Sequence, residues 1–355
     1  MSSEAPPPFA QRMLGLLEPA QLMAWAMSHY FRVCSEAVKS GQILAPITQT
    51  RRLRDEAFGK FWFEFSCKFS ENENPNPSMA SRQKETEEIN PVHLFSSHHP
   101  LPQLHLYQYQ VQKPLTKSAQ PNRQTTTDPI TNEQPQPVGS SALIPPLLRT
   151  ATGTVLDVGP GTGTQMPLLT SPSITALYGA EPCTGLHKEL RARAVAEGIS
   201  DKYHILPCGA AAGELLPALK ATGTGVVDGL EGDVRVGIFD TILCVRVLCS
   251  VPKMERTIGE LYELLKPGGK LLVTEHVVNP WWRAKGSVLA RVAQAVYQFF
   301  GWSWFIGDCC MTRDVEGALR KAADGDGGWG SFELERSFEW SAMPYISGTL
   351  VKKGI

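Results

Sequence analysis

VLDVGPGTG, residues 155–163, is the stretch of this chain that decides the fold. An apolar run ends there in a turn that places Gly159, Gly161 and Gly163 at alternate positions. Glycine has no Cβ, so the backbone can turn sharply at the end of a strand and a ligand can approach it closely. A second apolar run, residues 174–180, stops at Glu181. An acid about 20 residues beyond a glycine turn can accept hydrogen bonds from ribose hydroxyls, so the two segments predict a nucleoside site.

The spacing of the glycines bears on which nucleoside is bound. The dinucleotide fingerprint is G-x-G-x-x-G, whereas this turn has G-x-G-x-G, with Thr164 where the third glycine belongs. No lysine follows the turn as in a P-loop, which disfavours a triphosphate. A bare glycine backbone suits a ligand without phosphates whose amino-acid tail lies against it, such as S-adenosylmethionine. A nicotinamide cofactor, and with it a dehydrogenase, is the alternative from another enzyme class.

Further apolar runs predict the sheet that carries this turn. Strands are expected at 202–207, 239–245 (FDTILCV) and 270–275 (KLLVTE), and a helix that begins at Met254 is expected to stop at the KPGG of residues 266–269. Strands that alternate with helices form a parallel, doubly wound sheet with ligands at the carboxyl ends of its strands. Residues 332–340 and 345–352 are expected to complete this sheet as an antiparallel hairpin.

The ordered set VLDVGPGTG, YGAEP, FDTILCV and LKPGGKLLVTEH resembles class I S-adenosylmethionine-dependent methyltransferases over roughly residues 140–353. VLCSV (247–251), TEHV (274–277), CCMTRDV (309–315) and the tail PYISGTLVKK resemble the membrane-associated thiol S-methyltransferases within that superfamily. The resemblance implies a seven-stranded Rossmann-like α/β sheet, S-adenosylmethionine as cofactor and a small lipophilic acceptor, with a thiol favoured. An O-methyltransferase of a natural product is the alternative within this fold.

A cofactor site of this kind assigns roles to residues at the ends of the first four strands. Asp157 and the three glycines are expected at the methionine side of the cofactor and Glu181 at the ribose. Ala212, Gly213 and Glu214 are expected beside the adenine, and Cys244, Val245 and Arg246 near the reactive methyl group. Asp157 has the alternative of a local turn hydrogen bond, Glu181 that of a solvated charge, and Glu214 that of a helix-capping residue.

Candidates for the chemistry at the acceptor are His276, Arg246 and Asp308. His276 follows strand five and is either a general base or a structural hydrogen bonder. Arg246 cannot act as a base, so it either orients an anionic acceptor or pairs with an acid, and Asp308 is a weaker candidate. A thiol acceptor is intrinsically nucleophilic and needs no strong base.

Residues 281–305 concentrate aromatic side chains beside the expected acceptor position. They suit an apolar lid over a lipophilic acceptor, but ordinary core packing and a membrane-interface helix are alternatives. Thr312 is predicted as the N-cap of the next helix. The aromatic residues in question are Trp281, Trp282, Tyr297, Phe299, Phe300, Trp302, Trp304 and Phe305.

Composition limits which cellular compartment and which binding partners we expect. A net charge of −1 over 355 residues gives no electrostatic case for nucleic acid. The eight cysteines lack CxxC or Cys/His ligand spacing, so we expect no disulfide framework, no metal site and a reducing, cytoplasmic compartment. Prolines 6–8 argue against a signal peptide, and residues 13–33 are too interrupted to span a bilayer. This segment packs on the protein's own core or lies peripherally on an intracellular membrane, with Leu22, Trp25, Met27 and Tyr30 as its apolar contacts.

Three regions are expected along the chain. Residues 1–66 form an N-terminal helical region, 67–138 a low-complexity and disordered insertion rich in Gln, Asn, Pro, Ser and Thr, and 139–355 the methyltransferase domain. Four histidines at 93, 98, 99 and 105 are expected to be solvated rather than metal-binding, because no cysteine accompanies them. A membrane- or partner-binding module with a degenerate cofactor pocket is the non-enzymatic alternative. The oligomeric state does not follow from the sequence.

Overall fold

A computed structural model describes residues 8–73, 139–228, 237–281 and 286–354. The chain divides into two compact units, Met1–Ser66 with Leu143–Ile355, and Cys67–Ala142. Residues 74–138, which make up most of the predicted insertion, lie outside the described residues, as do the four histidines named above. The predicted domain boundaries stay a prediction. The first of the two units contains the sheet.

Seven strands form one sheet in the order β3-β2-β1-β4-β5-β7-β6. Their bounds are β1 Gly153–Val158, β2 Ile174–Ala180, β3 Tyr203–Leu206, β4 Phe239–Val245, β5 Leu265–His276, β6 Ser331–Ser337 and β7 Tyr345–Val351. Strands β1 to β5 are parallel, and β7 is antiparallel to both of its neighbours. The strand order reverses between β1 and β4, and ligands bind at such a switch point. The expected seven-stranded Rossmann-like sheet is confirmed.

The helices cover the sheet or precede it. Their bounds are α1 Phe9–Lys39, α2 Ala45–Thr48, α3 Thr50–Glu73, α4 Ile144–Leu148, α5 His187–Ala196, α6 Ala212–Ala221, α7 Met254–Leu264, α8 Val288–Phe299, α9 Trp302–Phe305 and α10 Val315–Lys321. Short 3₁₀ turns lie at Gly139–Leu143, Met166–Leu168, Thr184–Leu186 and Asp324–Asp326. Among the described residues, no helix is both long enough and apolar enough to cross a membrane.

The predicted strand bounds match the structure where the apolar run is continuous. Strands β2 and β4 begin and end where predicted, because both faces of a central parallel strand are buried. Strand β5 begins at Leu265 rather than at residue 270, and α7 ends at Leu264. Leu265 pairs with Phe239, and the register then shifts before Lys270 pairs with Thr241. The register shift takes the KPGG segment into the strand, so the strand begins earlier than predicted, whereas the helix does end just before KPGG as expected.

The last two strands also differ from their predicted bounds. Strand β6 ends at Ser337 rather than at residue 340, and β7 ends at Val351. Phe338 lies directly after β6 with a positive φ of 56°, a conformation that ends regular strand geometry. The antiparallel hairpin itself forms as expected.

Helix α1 runs through the segment that the sequence marked as interrupted, with Pro19 inside it. Its Leu22 and Trp25 pack on a buried cluster that includes Phe61 of α3 and the fully buried Trp302 of α9. The N-terminal helices therefore pack on the protein's own core, as one of the two alternatives expected. At the start of α1, however, Phe9, Leu14 and other apolar side chains are exposed.

Candidate functional site

The glycine turn after β1 has the backbone geometry that only glycine adopts without strain. Gly159, Gly161 and Gly163 have φ angles of 62°, 61° and 77°. A Cβ on Gly159 would lie 2.6 Å from Cγ2 of Val247, and one on Gly161 would lie 2.6 Å from Nε1 of Trp62. The turn is thus bare backbone enclosed by neighbouring side chains. Glycine is therefore needed at these two positions both for the left-handed backbone and for the contacts with Val247 and Trp62.

Glu181 lies at this turn, as predicted. It follows β2, is only 6% exposed, and its Oε2 accepts a hydrogen bond from the backbone N–H of Gly161 at 2.9 Å. Its Oε1 accepts from the N–H of Cys183 at 2.8 Å. Burial raises the pKa of Glu181, and the two backbone N–H donors act in the opposite direction. The structure therefore brings the predicted ribose-binding acid and the glycine turn together at one edge of the sheet.

Asp157 is buried at the end of β1. The Tyr203 hydroxyl donates a hydrogen bond to its Oδ2 at 3.3 Å. Burial raises the pKa of Asp157 to about 7, with a further contribution from the Glu181 charge. The carboxyl group therefore has a hydrogen-bond partner on a distant strand rather than the local turn hydrogen bond that was the alternative, and its expected place at the methionine side of the cofactor stays a prediction.

The segment expected beside adenine opens α6. The backbone N–H of Ala212 donates to Oε2 of Glu260 at 2.8 Å, and Glu214 Oε2 accepts from the N–H of Gly209 at 2.9 Å. Gly213 has open space where a Cβ would lie. Glu214 reaches back to the backbone ahead of its helix, which is how a capping acid behaves. Its expected contact with adenine stays a prediction.

The end of β4 turns sharply at Arg246. Cys244 and Val245 are buried in the strand, and Arg246 has a positive φ of 56°. Its N–H donates to the carbonyl of Thr274 at 2.9 Å, and its guanidinium carbon lies 5.8 Å from the centre of the Tyr345 ring. An arginine over an aromatic face is a favourable cation–π arrangement. Arg246 is thereby oriented by the neighbouring strands β5 and β7.

His276 ends β5 and lies in a buried group with two cysteines. Its Nε2 is 3.0 Å from Sγ of Cys309, and the ligand atoms of Cys249, His276 and Cys309 all lie within 4.8 Å of one another. Burial lowers the pKa of His276, but the Cys249 thiol and the Glu275 carboxyl raise it, and the pKa ends above its usual value. The candidate base is therefore a buried, partnered histidine.

Asp308 lies apart from this group. Its carboxylate is exposed and forms an ion pair with Arg54 of α3, with N–O distances of 2.9 and 3.1 Å. That placement ties the N-terminal helices to the loop after α9. The predicted N-cap at Thr312 was wrong: Asp314 caps α10 by accepting from the N–H of Gly317, while Thr312 Oγ1 lies 3.4 Å from Cys310 Sγ. Asp314 is adjacent to the first helical residue, and Thr312 lies two residues too early.

The aromatic segment divides between core and surface. Trp302 is fully buried, and Tyr297 packs beside it and donates a hydrogen bond to the carbonyl of Leu16 at 2.7 Å. Phe299 is 84% exposed, and Trp281, Phe300 and Trp304 are exposed to smaller extents. Trp282 lies outside the described residues. Part of the segment therefore belongs to the core, which was one of the three alternatives, and part exposes apolar side chains to solvent.

Sequence reasoning missed residues that distant segments bring to this edge. Trp62 of α3 covers Gly161, and Tyr203 of β3 binds Asp157. Cys249 and Cys309 flank His276, although no Cys/His ligand spacing marks them in the sequence. A search for Cys and His residues that follow the carboxyl ends of parallel strands could have found Cys249, but Cys309 follows α9 and carries no such signal.

A match to a methyltransferase domain family covers residues 135–307. Together with the sheet, this match supports a methyltransferase domain with S-adenosylmethionine as its cofactor. The chain is 34% identical over 122 residues to thiol S-methyltransferase TMT1B of Homo sapiens, an alignment that covers 33% of this chain and 45% of that protein. Thiol S-methyltransferase TMT1A of Homo sapiens is 31% identical over 120 residues, with the same coverage. The chain thus spans less than half the length of these curated relatives.

A solved structure of a geranyl diphosphate methyltransferase in complex with S-adenosylmethionine is similar with a TM-score of 0.41 and 12% identity. The similarity covers 61% of this chain and 86% of that one.

Proposed function

We propose that this chain transfers the methyl group of S-adenosylmethionine to a small lipophilic acceptor, with a thiol as the favoured nucleophile. The observation that carries the proposal is the hydrogen bond from the Gly161 N–H to Glu181 Oε2, which joins the glycine turn to the acid at the end of β2. Three left-handed glycines and a buried acid at one sheet edge form a cradle for a nucleoside with an amino-acid tail.

The cofactor, when bound, supplies an activated methyl group on a sulfonium with a neutral thioether as leaving group. The protein then has to hold the two reactants in line, and such positioning supplies several kcal/mol of the barrier. In this proposal the glycine turn takes the methionine part, Glu181 takes the ribose hydroxyls, and the residues 244–246 border the methyl group. No nucleophile of the protein takes part.

A thiol is favoured for two reasons. The curated relatives are named thiol S-methyltransferases. In addition, the candidate base His276 is buried against Cys309 rather than open to an acceptor, which suits a nucleophile that ionises easily. A phenol or other hydroxyl needs more help from a base, so an O-methyltransferase is the second candidate.

Calorimetric titration of S-adenosylmethionine tests the cofactor site. Glu181→Gln keeps the size of the side chain but removes the charge, and should weaken binding about 10- to 100-fold, since a charge-assisted hydrogen bond is worth roughly 1.5–3 kcal/mol. Glu255→Gln, at an exposed acid of α7, is the matched control and should bind as the wild type does. Equal affinity of the Glu181 variant and the wild type would contradict the ribose assignment.

A panel of alkyl thiols and matched phenols then tests the acceptor. Methylation of thiols with a kcat/KM at least tenfold above that for phenols is expected. A higher kcat/KM for phenols would contradict the thiol proposal and support an O-methyltransferase. Binding of S-adenosylmethionine without turnover of any acceptor would support a non-catalytic module.

We also propose peripheral contact with a membrane. The exposed side of α8 carries a row of apolar residues at helical spacing, namely Val288, Leu289, Val292, Val296 and Phe299. Helix α1 presents Phe9, Met13, Leu14 and Leu17, and its Leu16 carbonyl is bonded to Tyr297 of α8. We call these nine residues the apolar ridge. Apolar ridges of this kind insert into the boundary between lipid headgroups and acyl chains.

A further inference from the structure

Three elements bring two thiols and an imidazole together in the interior. Cys249 lies in the turn after β4, His276 is the last residue of β5, and Cys309 follows α9. We call these three residues the Cys–His–Cys cluster. Their ligand atoms lie within 4.8 Å of one another, and all three residues are buried. Local spacing does not predict the cluster, because 27 and 33 residues separate its members.

Two cysteines and one histidine are a ligand set that zinc uses in catalytic sites, where a fourth position stays open for water or substrate. Tetrahedral coordination with Zn–S and Zn–N bonds of about 2.3 and 2.1 Å places sulfur and nitrogen about 3.6 Å apart. The observed separation of His276 Nε2 and Cys309 Sγ is 3.0 Å. An ion therefore needs only a small outward movement of side chains that are already assembled.

The surroundings of the cluster hold it in place. Glu275 Oε1 accepts hydrogen bonds from the N–H groups of Val247 and Leu248 at 2.8 and 2.9 Å, which fixes the turn that carries Cys249. Trp302 Nε1 donates to Cys309 Sγ at 3.2 Å. Donors to sulfur stabilise a thiolate, and such second-layer contacts orient metal ligands.

One buried nitrogen of the imidazole makes no use of its hydrogen-bonding capacity. Within the part of the chain that the structure describes, His276 Nδ1 has no hydrogen-bond partner, and the residue is only 4% exposed. A buried polar atom left unpaired costs free energy. The ring does have two thiols as polar neighbours, Cys309 and Cys249, and an imidazole between two thiols is an arrangement that suits a metal ligand.

We propose that Cys249, His276 and Cys309 bind one Zn²⁺ ion through two thiolate sulfurs and a ring nitrogen. Each cysteine thiol gives up its proton to solvent when the ion binds. The turn that carries Cys249 also carries Val247, whose side chain lies against Gly159. In this site His276 acts as a ligand and not as a base.

Titration of the chelator-treated full chain with Co²⁺ tests the site directly, since cobalt bound by thiolate absorbs in the near ultraviolet and tetrahedral cobalt in the visible. The wild type should bind one Co²⁺ per chain with both bands, and one equivalent of Zn²⁺ should abolish them. Cys249→Ser and Cys309→Ser should each weaken Co²⁺ binding by at least tenfold, because even loss of a second-layer partner costs about 10- to 100-fold.

Cys310→Ser is the matched control, because Cys310 adjoins Cys309 but lies against Thr312 and outside the cluster. It should bind Co²⁺ as the wild type does. Absence of stoichiometric Co²⁺ binding by the wild type overturns the proposal, and so does binding by Cys309→Ser that equals binding by Cys310→Ser. The Co²⁺ titration of the wild type tests the proposal even if one of the variants fails to fold.

Calorimetry with S-adenosylmethionine on the same samples separates this inference from the proposed function. Cofactor binding without cobalt binding rejects the zinc site alone. Cobalt binding without cofactor binding rejects the proposed function and leaves the metal site standing.

Discussion

At the scale of single residues, Asp157 is a buried acid whose pKa is strongly raised by its surroundings. Its pKa of about 7 means that the folded chain holds the proton more tightly than the unfolded chain, where an aspartate has a pKa of about 3.9. As the pH rises from about 4 to about 7, the folded state therefore loses stability relative to the unfolded one. Above pH 7 this penalty is fully present.

Asp157→Asn removes the ionisation and keeps an oxygen that can accept from Tyr203. In the absence of cofactor, the variant should have a higher free energy of unfolding than the wild type. This difference between variant and wild type should be about 2–3 kcal/mol larger at pH 8 than at pH 5. Urea denaturation at the two pH values measures it. Asp201→Asn, at an exposed aspartate, should show no such pH dependence. The same gain for Asp157→Asn at both pH values would contradict a raised pKa.

Residues of the site differed in how far the sequence could predict them. Gly159, Gly161, Gly163 and Glu181 carry a local signal, since a glycine turn and an acid each follow an apolar run. Trp62 carries none, because an aromatic residue on a helix has the same pattern whether it covers a ligand edge or fills a core. Contacts across the fold decide its position.

At the scale of elements, α3 and the glycine turn share one close contact. Gly161 has a φ of 61°, and a Cβ there would meet Trp62 of α3. Gly161→Ala should therefore lower the free energy of unfolding by about 1–2 kcal/mol from backbone strain alone, with a further loss from the clash. Its affinity for S-adenosylmethionine should fall as well, because α3 has to move off the turn.

Gly259→Ala is the contrasting substitution. Gly259 lies inside α7 with open space around its Cβ position, so alanine should raise the unfolding free energy by about 0.4–1 kcal/mol. Thermal unfolding followed by circular dichroism compares the two variants. A Gly161→Ala variant as stable as Gly259→Ala would show that α3 does not press on the turn.

Elements were predictable where local pattern and burial agree. Strands β2 and β4 are central, and their unbroken apolar runs mark both ends. The start of strand β5 was not predictable from its sequence. Leu265 pairs with Phe239, and this pairing includes a Pro-Gly-Gly segment in the strand although such a segment by itself favours a turn. The sequence of β5 alone does not contain that pairing.

At the scale of the whole molecule, the apolar ridge is a surface feature that the site does not explain. Flotation with phosphatidylcholine–phosphatidylserine vesicles should recover the wild type in the lipid fraction. Leu289→Lys with Val292→Lys should weaken this binding more than tenfold, since burial of each apolar side chain is worth about 1.5–3 kcal/mol. Val195→Lys changes an exposed apolar residue of α5 outside the ridge and should float as the wild type does. A wild type that stays with the aqueous fraction would reject the membrane proposal.

The ion pair between Arg54 and Asp308 joins residues 254 positions apart in the chain. On a ribosome that adds about 5–20 residues per second, the N-terminal helices wait roughly 13–50 s for the loop against which they pack. During that interval Trp25, Phe61 and Trp62 have no Trp302 segment to cover them. Newly made chains are therefore expected to depend on a chaperone that holds these helices until synthesis is nearly finished.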